Sequence, residues 1–206
     1  DYIKKSKKIR FEGDGYGEAW EKEAEKRGLS NNRTTPIALR AQVSQKTKAL
    51  DKELEVMNET EIEARHEIEL EEYAMRIQIE GRILGDIARN HVIPTSIRYQ
   101  NILIKNVTGL KAIYGEEYTR HAKEQLEIIE SISAHIASIN SNVNAMIEAR
   151  KVANKIEDDA EKKAIAYCDD VKPYFEEIRY HCDKLELLVD DELWPLTKYR
   201  EMLFTK

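Results

Sequence analysis

The fold is decided by the stretch IIESISAHIASINSNVNAM, residues 128–146, in which apolar residues recur alternately three and four positions apart. On an α-helix this spacing places the apolar side chains along one narrow stripe, the seam through which long helices pack. The seam consists of Ile129, Ile132, Ile136, Ile139, Val143 and Met146. We therefore predict a long helix over residues 116–156 that packs against other helices.

The composition of the whole chain also favours helices. Of the 206 residues, 35% are charged and only 7% are aromatic, and the chain contains eight glycines and four prolines. Strands are enriched in β-branched and aromatic residues, whereas Glu, Lys, Ala and Leu are strong helix formers. The predicted fold class is all-α: an antiparallel bundle of long helices, with a short N-terminal helix and a linker.

A second long helix is predicted upstream of the seam, from Thr60 onward. Its apolar stripe consists of Leu70, Tyr73, Ile77, Leu84, Ile87 and His91. Pro94 should bend or interrupt this helix after Ile93, because proline has no N–H to donate and disfavours helical geometry in the residue before it. A further helical segment should then run to Gly115.

The last long helix is predicted over residues 171–193. Pro173 is tolerated in its first turn, and Pro195 ends it. Its stripe consists of Tyr174, Ile178, His181, Leu185 and Leu188. A polar break, EDDAEKK at residues 157–163, separates this helix from the one before it, and short breaks of this kind favour antiparallel neighbours.

The N-terminal part of the chain predicts less regular structure. A short helix is expected from near Tyr16 to Gly28, with Asp14 as its N-cap. Residues 31–35 form a polar, turn-rich linker. A weaker helix over residues 36–56 follows, because its few apolar residues recur only loosely at helical spacing.

Glu63 and His66 form the only Glu-x-x-His pair in the sequence, which places a carboxylate and an imidazole on one helical face. A ferritin-like di-metal site needs two such pairs and two further Glu residues on separate helices. Thr60 and Glu63 also have the spacing of a capping box. We therefore predict a helix start at Thr60, with a metal-binding helical bundle as the less favoured hypothesis.

The glycine cluster GDGYG, residues 13–17, invites comparison with a phosphate-binding loop. The dinucleotide spacing would need a glycine where Glu18 stands, and the Lys-Ser or Lys-Thr of a P-loop is absent. Asp14 would also repel a phosphate. The better interpretation is a capped turn over Gly13–Tyr16, whose relation to any active site stays open.

The two cysteines, Cys168 and Cys182, are too few for a disulfide framework and lack metal-ligand spacing, so reduced thiols within helices are expected. His181 precedes Cys182, but adjacent residues on a helix point about 100° apart, which disfavours a catalytic pair. Trp20 and Trp194 are interpreted as packing anchors. No catalytic, cofactor-binding or metal-binding residue is assigned.

The formal net charge of −6 offers no general attraction for nucleic acid or anionic lipid. The locally basic run DYIKKSKKIR, residues 1–10, is interpreted as solvated surface. No window approaches the roughly 18 apolar residues of a membrane span. We therefore expect a cytoplasmic protein without nucleic-acid or membrane partners, and the start at Asp1 suggests a fragment of a longer chain.

Four blocks of the sequence resemble the C-terminal part of type III glutamine synthetases, the long-chain bacterial form. They are IRFEGDGYGEAWEKEAEKRGL (residues 9–29), YAMRIQIEGRILGDIARNHVIPTSIRYQNILIKNV (residues 73–107), NAMIEARKVANKIED (residues 144–158) and EEIRYHCDKLELLVDDELWPLTKYREMLF (residues 176–204). The resemblance covers nearly the whole chain and is weakest between Thr34 and Asn58.

The resemblance implies an ATP-dependent ligase that joins ammonia to glutamate, using Mg²⁺ or Mn²⁺ and assembled as two stacked hexameric rings. Its nucleotide-binding and metal-binding residues precede this fragment, so no cofactor is expected here and the isolated chain should be inactive. The implied domains are a tail adjoining the catalytic domain (1–30), a linker with a weak helix (31–59) and a helical bundle (60–206). The implied partners are the upstream catalytic domain and neighbouring subunits. A standalone helical interaction module is the alternative.

Overall fold

The computed structural model describes residues 1–7 and 10–204 of the chain. Along these residues the regular structure is helical and contains no β-strand, which confirms the predicted all-α class. The chain forms two compact units, residues 1–66 and 67–206. Part of the basic run near the N-terminus, residues 8 and 9, lies outside the described residues.

Four short helices precede the long ones. They are α1 (Tyr2–Lys5), α2 (Glu18–Lys26), α3 (Thr35–Leu39) and α4 (Gln45–Glu53). The single helix expected over residues 36–56 is wrong, because this segment contains α3 and α4 instead. Ser44 begins α4: its Oγ accepts a hydrogen bond from the backbone N–H of Thr47 at 3.2 Å, which is the action of an N-cap residue.

Helix α2 starts two residues later than the sequence predicts. Asp14 does not cap it; its Oδ1 accepts the backbone N–H of Tyr16 at 2.9 Å and closes a tight turn before the helix. Gly17 is the N-cap, without a side chain to accept a bond. The predicted end is correct, because Gly28 has a φ of +71°, a left-handed conformation that glycine adopts without strain.

The long helices begin at Glu59, in the first unit, and fill the second. They are α5 (Glu59–Ile87), α6 (Ile93–Tyr114), α8 (Lys123–Asn154), α9 (Ala160–Ala166) and α10 (Pro173–Leu188). The short helix α7 (Tyr118–His121) lies between α6 and α8, and the short helix α11 (Tyr199–Met202) follows α10. Over the described residues, no helix combines the length and apolar composition needed to cross a membrane.

Both interior prolines follow a π-helical turn. One π turn, Ala88–Val92, joins α5 to α6 just before Pro94, and the other, Tyr167–Val171, joins α9 to α10 before Pro173. The wider turn moves the chain past a residue that has no N–H and whose ring would collide with the carbonyl four positions earlier. The expected interruption at Pro94 is therefore a local widening of a continuous helical path.

Hydrogen bonds between side chains show that neighbouring helices of the second unit are antiparallel. Gln78 on α5 donates to Asn154 Oδ1 at 2.9 Å, whereas Arg89, in the π turn after α5, donates to Asn144 Oδ1 at 2.5 Å, earlier on α8. The residue number of the partner on α8 falls as the residue number along the α5 path rises. Only antiparallel helices allow this. The antiparallel bundle is thus confirmed.

The predicted seam of α8 forms the centre of the core. Ile132, Ile139, Val143 and Met146 are at most 3% exposed, and Ile129 and Ile136 are partly buried beside them. Full burial of such a side chain stabilises the fold by roughly 1.5 to 3 kcal/mol. The stripe on α10 is also confirmed, with Ile178 and Leu185 completely buried.

Two details of the predicted helices are wrong. His91 is exposed rather than part of the buried stripe predicted with Leu70 and Ile77, because the π turn shifts the phase of the helix. The last helical path runs from Ala160 to Leu188, not over residues 171–193. Asp159 starts it by accepting the N–H of Lys162 at 2.9 Å, a cap within the stretch interpreted as a break.

Candidate functional site

The Glu63 carboxylate of the Glu63–His66 pair accepts a hydrogen bond from a lysine. Lys48 Nζ donates to Glu63 Oε1 at 2.6 Å and to Glu59 Oε1 at 2.8 Å. These hydrogen bonds raise the pKa of Lys48, and the hydrogen bond and charge of Lys48 lower the pKa of Glu59. The contacts join α4 to the start of α5 within the first unit.

The helix start near this pair uses different residues from those predicted. Glu61 N–H donates to Asn58 Oδ1 at 3.0 Å, and Asn58 N–H donates to Glu61 Oε2 at 2.8 Å. This reciprocal pair is a capping box, two positions before the Thr60 and Glu63 box that we predicted. The sequence contains both spacings, and the structure selects the earlier one.

Metal-ligating side chains do not converge in the described part of the chain. Among residues 1–7 and 10–204, no group of three or more His, Cys, Asp or Glu side chains is placed to hold a metal ion. His66 Nδ1 is buried and has no hydrogen-bond partner among these residues. Among the described residues, no further metal-ligating side chains therefore join Glu63 and His66 to form a di-metal site.

The turn over Gly13–Tyr16 is closed by the Asp14 bond described above, as a capped turn requires. Asp14 also lies close to Gly17, where a Cβ would approach the Asp14 carboxylate to 3.3 Å. The loop therefore presents a carboxylate toward its own backbone, where a phosphate-binding loop would present free N–H groups.

A histidine pair joins α8 to α10, which the sequence did not predict. His135 Nδ1 and His181 Nδ1 are 2.9 Å apart, so one neutral ring donates to the other. Burial lowers the pKa of His135, and the charges of His181 and Lys184 lower it further. Both histidines lie on the apolar faces of their helices, but only the register of α8 against α10 brings them together.

The two thiols are free. Cys168 is buried in the π turn before α10, and Cys182 is partly buried on α10. Burial raises the pKa of Cys182 to about 11, with a smaller contribution from the charge of Asp183. A thiol with such a pKa is a poor nucleophile at neutral pH.

The tryptophans take part in packing. Trp20 lies against Phe11, with ring centroids 4.7 Å apart, and against the guanidinium of Arg27. Trp194 is only 9% exposed and belongs to the main core. These contacts agree with their interpretation as packing anchors.

A polar cavity of about 560 Å³ lies between α5, the end of α8 and the start of α9. Its wall contains a closed hydrogen-bond network: Tyr167 Oη donates to Asn154 Oδ1 at 2.6 Å, and Gln78 Nε2 donates to the same oxygen at 2.9 Å. Four acidic residues line the cavity, together with one lysine; they are Glu67, Glu71, Glu157, Asp158 and Lys163.

A second cavity, of about 260 Å³, lies between α5 and α8 and is lined by three arginines, Arg82, Arg89 and Arg150. We call it the arginine cavity. The sequence contains one weak signal of it, because Arg82 on α5 and Arg89 in the following π turn are about two helical turns apart. Their meeting with Arg150 depends on the packing of α8.

One face of α5 exposes an apolar stripe, which we call the α5 stripe. It consists of Ile68, Met75, Ile79 and Ile83, each between 48% and 61% exposed. Their spacing of seven, four and four residues places them in one row. A contiguous exposed apolar surface of this kind commonly marks a contact with another protein surface.

Comparison with known proteins explains what kind of chain carries these features. Residues 1–111 match the family model of the glutamine synthetase C-terminal domain. The chain belongs to the glutamine synthetase C-terminal domain family. The match ends within α6. The later helices α8 to α10 lie outside it, but they are covered by alignments with individual relatives.

Relatives of this glutamine synthetase domain extend over almost the whole chain. A glutamine synthetase of Bacteroides fragilis is 48% identical over 202 residues, covering 98% of this chain and 28% of that protein. A type-3 glutamine synthetase of Dictyostelium discoideum is 31% identical, covering 97% of this chain and 27% of its own length. A glutamine synthetase of Butyrivibrio fibrisolvens is 26% identical, covering 97% and 28%. The chain therefore spans little more than a quarter of the length of these relatives.

Proposed function

We propose that this chain is the C-terminal part of a type III glutamine synthetase and serves there as a rigid helical scaffold. The observation that carries the proposal is the alignment of 98% of the chain with 28% of the Bacteroides protein. The parent enzyme would ligate ammonia to glutamate with ATP. Its domains would be divided as the resemblance implies: residues 1–30 adjoin the catalytic domain, 31–59 link it, and 60–206 form the bundle.

The described residues do not fit a nucleotide or a catalytic metal. No cluster of three metal-ligating side chains forms among residues 1–7 and 10–204, and the glycine turn directs the Asp14 carboxylate to its own backbone. We therefore propose that ATP and Mg²⁺ or Mn²⁺ are held by the catalytic part of the parent, as the family resemblance implies. The residues of this chain take no chemical step of the ligation.

The α5 stripe supports a role in contact with the rest of the parent. Its four large apolar side chains are exposed in this chain, and nearly three quarters of the length of the relatives lies outside the aligned region. We propose that this remaining polypeptide, from the same or a neighbouring subunit, covers the stripe. We further propose that the parent is a cytoplasmic enzyme of two stacked hexameric rings, as the family resemblance implies.

The scaffold role is tested on the full-length parent, with Ile79→Glu and Ile83→Glu as stripe variants and Ile113→Glu as a matched control. Ile113 is 74% exposed on α6, outside the stripe. We expect stripe variants to lower the assembled mass in sedimentation experiments and the rate of glutamine formation, while the control changes neither. Normal assembly of both stripe variants would refute the proposed contact.

The proposal that this chain carries out no catalysis by itself is tested on the 206-residue chain. With glutamate, ammonia, ATP and Mg²⁺ supplied, we expect a folded protein by circular dichroism and no glutamine formation. A parent shortened to end before residue 60 measures the contribution of the bundle, and we expect it to lose assembly or activity. Glutamine formation by the isolated chain would contradict the proposal directly.

A further inference from the structure

The arginine cavity brings three like charges together. None of the guanidiniums of Arg82, Arg89 and Arg150 forms an ion pair with a carboxylate in the described ranges, although ion pairs are frequent elsewhere in this acidic chain. Three positive charges around one cavity repel each other, and the repulsion is relieved when an anion binds among them.

One of these guanidiniums also has a buried donor. Nη1 of Arg150 is buried and has no hydrogen-bond partner among the described residues. A buried N–H without an acceptor lowers the stability of the fold, more so when the group is charged. Arg150 also lines the cavity, so its guanidinium lies beside the space that an anion would occupy.

The register of the helices divides the cavity into two ends. Gln78 pairs with Asn154, and Arg89 pairs with Asn144, so Arg82 lies level with Arg150. One end therefore carries two guanidiniums, and the other carries Arg89, whose backbone lies about 10 Å further along the helical path at a rise of 1.5 Å per residue. This separation suits a ligand with a negative group at each of its two ends.

The middle of the cavity is apolar. Gly85 lies between the two ends on α5, and a Cβ at that position would contact Met146 and Val143 on α8 at 3.5 Å. The absence of a side chain at Gly85 leaves the side chains of α8 to line the space between the helices. Methylene groups bind well against such a surface, whereas a compact inorganic anion would leave it exposed.

The lining includes one acidic group, which favours a weakly charged ligand. Asp86 shares the cavity wall, and its Oδ1 accepts a hydrogen bond from Asn90 Nδ2 at 2.5 Å. Three guanidiniums and one carboxylate leave the lining net positive, but Asp86 opposes a multiply charged phosphate. Carboxylates also match the planar donor fork of arginine.

From this geometry we propose that the arginine cavity is a binding site for a short aliphatic dicarboxylate. One carboxylate is bound by Arg82 and Arg150, the other by Arg89, and the methylene chain lies over Gly85. The volume of about 260 Å³ is slightly below the usual range of small-molecule sites, which suits a short ligand. The site is separate from the scaffold role proposed above and does not depend on it.

Calorimetric titration of the 206-residue chain at low salt tests this site, with succinate as the probe. Succinamide serves as the uncharged isostere, propionate as the monocarboxylate and inorganic phosphate as the compact anion. We expect saturable binding of succinate, weaker binding of propionate, and none of succinamide. Added salt should weaken succinate binding by screening. Phosphate binding as tightly as succinate would overturn the dicarboxylate assignment.

Matched arginine variants localise the binding. Arg82→Gln and Arg89→Gln should each weaken succinate about tenfold, the effect of one lost charge-assisted contact. Arg76→Gln is the control, because Arg76 is exposed on the same helix and pairs with Glu72. Arg82 is also exposed, so its variant should keep the fold, as circular dichroism can verify. Undetectable succinate binding, or equal effects of all three variants, would refute the site.

Discussion

At the scale of single residues, the start of α5 shows how two equally valid local signals compete. Asn58 and Glu61 have the spacing of a capping box, and so do Thr60 and Glu63. The structure forms the first, because Glu63 is held by Lys48 of α4 and cannot fold back onto the helix start. A contact from outside the helix therefore selects the cap.

Replacing the cap residue should destabilise the chain. We expect Asn58→Ala to lower the free energy of unfolding by about 1 kcal/mol, because the N–H of Glu61 loses its acceptor. The measurement is urea unfolding followed by circular dichroism. Thr60→Ala is the matched control and should change stability by less than half as much. A larger loss for Thr60→Ala would show that the later box is the functional one.

The raised pKa of Cys182 predicts slow reaction of its thiol. With a pKa of about 11, only about one molecule in ten thousand carries the thiolate at pH 7. We expect iodoacetamide to modify Cys182 far more slowly in the native chain than in urea, as followed by mass spectrometry of its peptide. Equal rates in both conditions would contradict the burial that the structure gives this side chain.

At the scale of helices, the glycines of α5 and α6 have different reasons to be present. Gly81 faces α10, where a Cβ would approach the ring of Phe175 to 3.2 Å, whereas a Cβ at Gly109 would meet nothing within 4 Å. Periodicity places both glycines inside helices but cannot distinguish them. The contact made by a neighbouring helix decides which glycine is required.

Substitution by alanine should separate the two positions. We expect Gly109→Ala to raise the free energy of unfolding by about 1 kcal/mol, because alanine loses less backbone entropy in a helix. Gly81→Ala should gain less or be destabilising, since its Cβ presses on Phe175. Thermal and urea unfolding of both variants provide the measurement. A larger gain at Gly81 would show that Phe175 moves aside freely.

Much of the helical pattern was predictable, and the failure at His91 has a clear physical cause. The seam of Ile132, Ile139 and Val143 was predicted because a repeat of three and four residues is a local property of the chain. The phase of His91 was not, because the π turn before Pro94 adds an extra residue to one turn. Periodicity arguments assume 3.6 residues per turn throughout.

At the scale of the whole molecule, the histidine pair couples the stability of the bundle to pH. His135 and His181 share one hydrogen bond between α8 and α10, and this bond needs a neutral ring as acceptor. Burial holds the pKa of His135 below its ordinary value of 6.5. The unfolded chain therefore binds a proton more readily than the folded one, so stability is full above pH 6.5 and is lost as the pH falls through the folded pKa.

The pH dependence of stability should weaken when the pair is removed. We expect the urea midpoint of the native chain to fall between about pH 7.5 and about pH 5.5, and to fall less in His135→Gln. His91→Gln is the control, because His91 is exposed and should leave the profile unchanged. An identical decline in both variants would assign the pH dependence to the carboxylates instead.

The sequence by itself determined that the chain is all-α, where α5, α6 and α8 lie, and which stripe of α8 is buried, because helical periodicity is set by neighbours within a few residues. Its blocks also identified the glutamine synthetase family. Tertiary structure alone decided the His135 and His181 pair, the arginine cavity and the choice of cap. These depend on contacts between different helices, and such contacts are set by tertiary packing rather than by the local sequence.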